Sequence, residues 1–325
     1  MLSRVADSLY WMSRYLERAE HTARLLDVNL NQMLDQTPEL AEQRWDRLLT
    51  TLHAAVADGK PDRAYAITET LTFAAANPVS IVACIGAARE NARQVREQIS
   101  SEMWEQINRL YLQVRRTSME QIWNDEPHEF FKAVREGAHL FQGITDATMS
   151  HGEGWQFIQV GRFIERAINT AVLVDTHFLA LPQGEDSDTQ EYLEWVGLLK
   201  SCTAFEAYCK VYTANVQPQQ VAEFLLLNAD FPRSVRFSAS MIQTSLQAIA
   251  DSTGQRHRGQ AERLAGRLRA GLDYGQVDEI LAENLHGYLE NIQRQCVQIH
   301  MALHQTFITY PIDAALAQSA LVSSQ

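Results

Sequence analysis

Cysteine, proline and long apolar runs are what this 325-residue chain has least of. Its four cysteines, Cys84, Cys202, Cys209 and Cys296, are scattered and form no C-x-x-C pair. That excludes a disulfide framework and a paired-cysteine zinc site, and leaves free thiols of a reducing compartment. No stretch of about eighteen apolar residues occurs, so no membrane span is expected. The opening MLSRVADSLYWMSRYLERAE lacks a signal-peptide core, and the expected location is the cytoplasm. There is no convincing strand alternation, no Gly-rich phosphate loop and no G-x-S-x-G. Basic residues are outnumbered 28 to 40, a net charge of -12. This argues against a general nucleic-acid or anionic-membrane binder, while allowing a local basic patch. Hydrophobic residues make up 46% of the chain, enough to build a substantial core and to exclude global disorder.

What the chain does have is a signature that occurs twice. Met12 to Asp27 reads MSRYLERAEHTARLLD, and Val160 to Asp175, 148 positions later, reads VGRFIERAINTAVLVD. Arg14/Arg162, Glu17/Glu165, Arg18/Arg166, Ala19/Ala167, Thr22/Thr170, Ala23/Ala171, Leu25/Leu173 and Asp27/Asp175 are identical. Fainter echoes follow in the same order. Trp45-x-x-Leu48-Leu49 matches Trp195-x-x-Leu198-Leu199, and Pro78-x-Ser80-Ile81 matches Pro232-x-Ser234-Val235. A tandem repeat of roughly 150 residues is the simplest account, with copies near 1–150 and 151–312 in a single helical domain and a flexible tail at 313–325.

The periodicity is helical. Leu9, Met12, Leu16, Ala19, Ala23, Leu26, Leu30 and Met33 step by three and four, as do Phe157, Val160, Ile164, Ala167, Ala171, Val174, Phe178 and Leu181. Each series predicts a helix of about 28 residues, in an all-α bundle with long antiparallel helices. Breaks at Pro38, Asp58 to Pro61, Pro127, His151 to Gly154, Gln183 to Asp188, Pro218, Asp230 to Pro232, Gly254 and Gly275 separate the helical segments. On a helical wheel Arg14, Glu17 and His21 lie opposite the seam, with Tyr10 and Val28 beside them. The second copy places Ile158, Arg162, Glu165 and Asn169 there. Apolar residues among these charges predict that both helices are covered on both sides, with the Glu-Arg pairs at least partly enclosed.

An enclosed carboxylate stays ionised only beside cations or several donors, which the fork of arginine supplies. Further arginines are candidates for the same site. Arg89, Arg93 and Arg96 form a stripe beside the seam Ile81, Ile85, Ala88, Ala92, Val95 and Ile99, and Arg233 and Arg236 fall in the first turns of a predicted helix. Arginine there opposes the helix dipole unless an anion or carboxylate joins it. A metal alternative uses Glu136-x-x-His139 and Glu283-x-x-His286 with the two motif glutamates, a di-metal helical-bundle inventory. Against it, Glu136 points away from Phe131, Val134, Ala138, Phe141 and Thr145, as Glu283 does from Leu281, Leu285, Tyr288 and Ile292. No metal and no cofactor are therefore expected. His300-x-x-x-His304 has ligand spacing but no obvious third partner.

The chain resembles the alpha-E domain family of bacterial and archaeal all-helical proteins. The resemblance rests on Tyr15-Leu16-Glu17-Arg18-Ala19-Glu20, on Asn77-Pro78 with Ala88-Arg89-Glu90-Asn91-Ala92-Arg93, and on His139-Leu140-Phe141-Gln142-Gly143. It continues through Met149 to Trp155, Gly161-Arg162-Phe163-Ile164-Glu165-Arg166-Ala167 and Phe231-Pro232-Arg233-Ser234-Val235-Arg236. Members of that family are typically encoded beside, or fused to, a circularly permuted ATP-grasp protein, often near a transglutaminase-like protease. The resemblance implies participation in ATP-dependent amide or peptide bond formation, with the ligase on a separate chain.

Three readings of the motif remain open. In the first the protein is a non-catalytic accessory subunit of an ATP-grasp ligase. It would bind the ligase, an anionic peptide or a small metabolite through an arginine-rich cleft of Arg14, Arg18, Arg89, Arg93, Arg162, Arg166, Arg233 and Arg236, with Glu17 and Glu165 as orienters. In the second it is an enzyme in its own right, with a glutamate general base or the Glu/His metal set. In the third it is a structural scaffold with internal Glu-Arg pairs.

Overall fold

The two periodic segments form the two longest helices, α1 (Ser3–Gln32) and α8 (Glu153–Ala180), and the remaining elements are arranged around them. The structure is a computed structural model that describes residues 1–33, 37–56, 62–124, 126–181, 189–252 and 259–308. The expected breaks at 58–61, 183–188 and 254, and the expected tail, lie outside the described residues. Between the long helices run α2 (Pro38–Thr51), α3 (Arg63–Phe73), α4 (Ile81–Gln94), α5 (Ser101–Arg116), α6 (Met119–Asn124) and α7 (Pro127–Thr148). After them come α9 (Thr189–Ser201), α10 (Phe205–Tyr212), α11 (Pro218–Leu227), α12 (Val235–Ser252), α13 (Gln260–Asp273), α14 (Val277–Glu283) and α15 (Leu285–Leu303). A π-turn, His304–Ile308, follows. Among the described residues there is no strand, and the fold is all-α.

Pro38, Pro127 and Pro218 stand in the first turns of α2, α7 and α11, where a missing N–H costs no hydrogen bond. α1 and α8 are buried all round: Leu9, Met12, Ala19 and Ala23 on the seam, and Tyr10, Leu25 and Ile158 on the face opposite. α1 packs antiparallel to α4, with Thr22 donating to the Val79 carbonyl at 3.1 Å and Ser8 meeting Gln94 at 3.3 Å. It is also antiparallel to α7, where Gln142 meets Glu17 and His128 meets Asp27. α8 is antiparallel to α12, with Phe163 against Phe237 and Thr170 donating to the Arg233 carbonyl. α15 also runs against α8, His286 meeting Asp175 near one end and Phe157 meeting Phe307 of the π-turn near the other.

The expected antiparallel arrangement thus describes each long helix with its flanking helices. The central pair runs parallel. Leu9 meets Gly154, Tyr10 and Ser13 meet Gly161, and Arg14 meets Glu165, so contacts advance together along both helices. The polar faces are the ones α1 and α8 turn towards each other.

Related positions in the two halves make related contacts. Ser80 Oγ donates to the Ala74 carbonyl and accepts from Ala83 N; Ser234 Oγ does the same with Asn228 and Phe237. His53 and Thr203, each just past the end of α2 or α9, adopt left-handed φ of 48° and 53°. Two sequence expectations need correction. Leu281 and Leu285 do not share one helix: α14 stops at Glu283, and the Asn284 side chain accepts from Gly287 N at 3.0 Å to start α15. An asparagine that satisfies a free helix N–H ends one helix and opens the next. Likewise α4 ends at Gln94, so the Arg89-Arg93-Arg96 stripe is interrupted before Arg96.

The close approach of α1 and α8 depends on Gly161, where an added Cβ would collide with the Tyr10 carbonyl oxygen and Ser13 Oγ. One of these is backbone, so the helices must move apart. Gly161→Ala is expected to destabilise the fold by about 1–3 kcal/mol, read by denaturant unfolding. Gly143→Ala, where a Cβ meets nothing within 4 Å, is the control and should be neutral or slightly stabilising.

Candidate functional site

The parallel central pair brings the two Glu-Arg motifs face to face, and each glutamate is held by the arginines of the other motif. Glu165 accepts from Arg18 Nε at 2.7 Å and Nη2 at 3.1 Å. Glu17 accepts from Arg166 Nε at 2.7 Å and Nη2 at 2.9 Å. Both pairs are bidentate, and each is the other's counterpart under exchange of the two motifs. Extra donors complete each carboxylate. Arg14 Nε binds Glu165 at 2.8 Å, while Arg233 Nη1 and Gln142 Nε2 bind Glu17 at 3.1 and 3.2 Å.

A third carboxylate belongs to the cluster. Glu20, fully buried, pairs with Arg24, with Arg233 at 3.0 Å and with His139 at 3.4 Å. Arg24 also donates to the Ser201 carbonyl and to His21 Nδ1 at 3.0 Å. Because arginine only donates, His21 Nδ1 is an acceptor and the ring is neutral. Arg233 lies just before α12, whose N-cap is Ser234, so it reaches inward between Glu17 and Glu20. This is the carboxylate partner that an arginine near a helix start requires.

Burial raises the pKa of each glutamate and the arginines reverse that rise. Glu17 is held down to about 2, chiefly by Arg166 and Arg233 against the burial penalty. Glu165 is lowered by Arg14 and Arg18, and Glu20 by Arg233 and Arg24, again against burial. These carboxylates are held ionised by the arginines beside them, so none is a proton acceptor near neutral pH.

Seven of the ten sequence-nominated residues come together here: Arg14, Glu17, Arg18, Arg162, Glu165, Arg166 and Arg233. The other three do not. Arg89 donates to Asn108 and lies over the Trp104 and Tyr111 rings, Arg93 pairs with Glu90 at the surface, and Arg236 pairs with Asp273. Nor is the cluster an open cleft. Among its arginines only Arg18 and Arg162 are partly exposed, because the two interlocked long helices leave no open cleft between their polar faces. Glu20, His21, Arg24 and Gln142 were not in the nominated set. The Glu20–Arg24 spacing was visible, but Ile168 and Val172 stand at the corresponding positions of the second motif.

The Glu/His alternative does not assemble. Glu136 and Glu283 are exposed, His139 meets Glu20, and His286 binds Asp175 at 2.8 Å. The counterpart of His286 is instead His128, which binds Asp27 at 2.7 Å. Among the described residues no three His, Cys, Asp or Glu side chains gather as a metal ion would require. A cleft of about 920 Å³ opens between α2, α8, α9 and α15. Its lining includes Asp46, Asp175, Glu191, Glu194 and Glu290, with Arg47 and an apolar wall of Leu40, Val172 and Leu179. It is acidic, and it is not the arginine-rich cleft that the sequence suggested.

A family described as a predicted alpha-helical domain with a conserved ER motif, Alpha-E, matches residues 1–308. The chain belongs to the Alpha-E family. Uncharacterized proteins of Mycobacterium bovis and of Mycobacterium tuberculosis are each 24% identical to it over 328 residues, a match that takes in 92% of this chain and 35% of theirs. This Alpha-E chain therefore spans about a third of the length of the curated relatives it matches. No solved structure matches it. Among its described residues no helix is long and apolar enough to cross a membrane.

Glu17→Gln keeps the shape but strips the charge that Arg166 and Arg233 neutralise. The expected cost is about 3–5 kcal/mol, the usual penalty for orphaning a buried ion-pair partner, read by denaturant unfolding. Acid should act through a second set of groups. Burial, then neighbouring arginines, pushes the His21 and His177 rings down to about 3 and His300 to about 4. The unfolded chain protonates these rings near 6.5 whereas the folded chain does not, so stability falls as pH drops below 6.5. Loss of ionised Glu17 adds to this as pH falls from 4.5 towards 2. A melting temperature that stays flat between pH 7 and 5 would contradict this assignment.

Proposed function

We propose that this Alpha-E protein is a non-catalytic binding subunit that works with a separate ATP-grasp amide ligase, engaging the ligase or an anionic peptide or metabolite that it handles. One observation carries the non-catalytic part. The three buried glutamates of the cluster, Glu17, Glu20 and Glu165, are each paired with arginines and held ionised. A carboxylate paired with buried arginines, with its pKa lowered by them, lacks the basicity of a general base. The motif is then a keystone that fixes the shape of a binding surface, and the chemistry belongs to the partner. The lengths of the mycobacterial relatives are compatible with this: in each, the matched region is about a third of a longer chain. A duplicated half-unit is the origin that best suits the related contacts of Ser80 and Ser234, and of Glu17 and Glu165.

An anionic ligand would meet the partly exposed arginines Arg18 and Arg162, since the large acidic cleft repels it. Co-purification with an ATP-grasp protein from the same genome tests the proposal. A complex at micromolar concentration is expected, and its absence from sizing chromatography and calorimetry would count heavily against the pairing.

A further inference from the structure

The reciprocal clamp is complete on one side and short of one partner on the other. Arg14 and Arg162 occupy the same place in the two motifs. Arg14 binds the Glu165 carboxylate and also donates to the Tyr10 hydroxyl at 3.2 Å, and that hydroxyl is closed off by His300 Nδ1 at 2.8 Å. Arg162 has no carboxylate. The place it would take on Glu17 is held by Arg233, which enters from the loop before α12. Its Nη2 reaches the Gln159 Oε1 amide oxygen instead.

The counterparts of the Tyr10 and His300 rings are also smaller. Ile158 stands where Tyr10 does, 148 positions on. Because His128 and His286 bind equivalent aspartates, α7 and α15 align so that Gln142 stands where His300 does. Losing a phenol and an imidazole leaves a cavity of about 10 Å³ lined by Ser13, Leu16, Phe141, Gln142, Ile158 and Arg162, with Thr145 and Gln159 completing the wall. That volume is about one water-sized sphere. Two of its lining residues carry buried donors without a partner, Arg162 Nε and Gln159 Nε2, and Gln159 is 0% exposed.

We infer that this cavity is a seat for one negatively charged acceptor atom, a halide ion or a carboxylate oxygen of a ligand, held by Arg162 Nε and Gln159 Nε2 in the space left where the first motif has its Tyr10 and His300 rings. Charge separates this from a plain hydration site. The cluster contains the arginines Arg14, Arg18, Arg24, Arg162, Arg166 and Arg233 against the carboxylates Glu17, Glu20 and Glu165, an excess of three positive charges. Burial, then Arg166, drives the Arg162 guanidinium down to about 10, so it is the arginine that an added anion relieves most directly. The nearby Asp146 is exposed and already accepts from Trp155 Nε1. The inference stands on its own geometry. If a carboxylate is the occupant, it also supplies the anchor point for the anionic ligand of the proposed function.

Thermal unfolding of the full chain at pH 7 and constant ionic strength tests it, with sodium methanesulfonate, whose anion is too bulky for the cavity, replaced stepwise by chloride or by formate. Saturable stabilisation of about 2 °C or more is expected with at least one of the small anions. It should be lost in Arg162→Met and kept in Arg93→Met. Stabilisation by chloride alone assigns the seat to a free ion, and stabilisation by formate assigns it to a carboxylate oxygen. Should Arg162→Met fail to fold, Gln159→Leu and a bromide-soaked crystal take its place, with an anomalous peak expected within hydrogen-bond distance of Arg162 Nε. No anion dependence in the wild-type chain, or bromide absent and a water filling the cavity, overturns the inference. These results do not depend on whether a ligase partner is captured.

Discussion

Two glutamates with almost no access to water must remain charged, and each can do so only while the arginine of the opposite motif lies across it. This reciprocity between Glu17 and Arg166, and between Glu165 and Arg18, governs the rest of the architecture. Buried ion pairs contribute little net stability compared with apolar residues of similar volume, yet they penalise every arrangement that separates them. Here the penalty acts on helix register. Sliding α8 by one turn against α1 would undo both bidentate pairs together and drive the Gly161 backbone out of its contact with Tyr10. Apolar seams rich in alanine tolerate several registers, whereas the charged faces tolerate one.

Much of this was legible in the chain itself. The alternation of three and four predicted two helices of about 28 residues where α1 (30 residues) and α8 (28 residues) lie, and Tyr10, Leu25 and Ile158 among the charges showed that both faces would be covered. The doubled Glu-Arg motif showed which charges mattered. The pairing was not legible, because a motif seen twice does not say whether each copy closes on itself or on the other. Arg233 illustrates the limit: its partners lie 216 and 213 positions away, and it reaches them from a turn rather than from the helix that its neighbours predicted. Glu136-x-x-His139 and Glu283-x-x-His286 illustrate the opposite failure. Their spacing echoed between the halves, but the second pair straddles the break at Asn284, and the structural counterpart of His286 is His128. The acidic cleft is illegible in the sequence for a related reason, since its carboxylates come from four separated helices.

The two motif helices are alike in their Glu-Arg pairs and unlike in their remaining charges. Around Glu20 the first motif carries His21 and Arg24, where the second has Ile168, Asn169 and Val172. The first half therefore concentrates the polar interior, and Arg233 crosses from the second half to complete it. The surface shows the reverse polarity: the chain carries twelve more acidic than basic side chains, and the cleft between α2, α8, α9 and α15 is acidic. A protein that keeps arginine inside and carboxylate outside presents most partners with a negative face.

The parallel course of α1 and α8 also bears on how the molecule comes into being. Glu17 leaves the ribosome well before the guanidinium that neutralises it, because Arg166 is 149 residues downstream. At ordinary elongation rates of about 5–20 residues per second, that interval is roughly 7–30 s. Until it ends, the N-terminal helices can collapse around an acid with Gln142 as its only donor from the first half. A buried carboxylate without its arginine is costly, so the Glu17 charge disfavours compaction of the first half until α8 has been made.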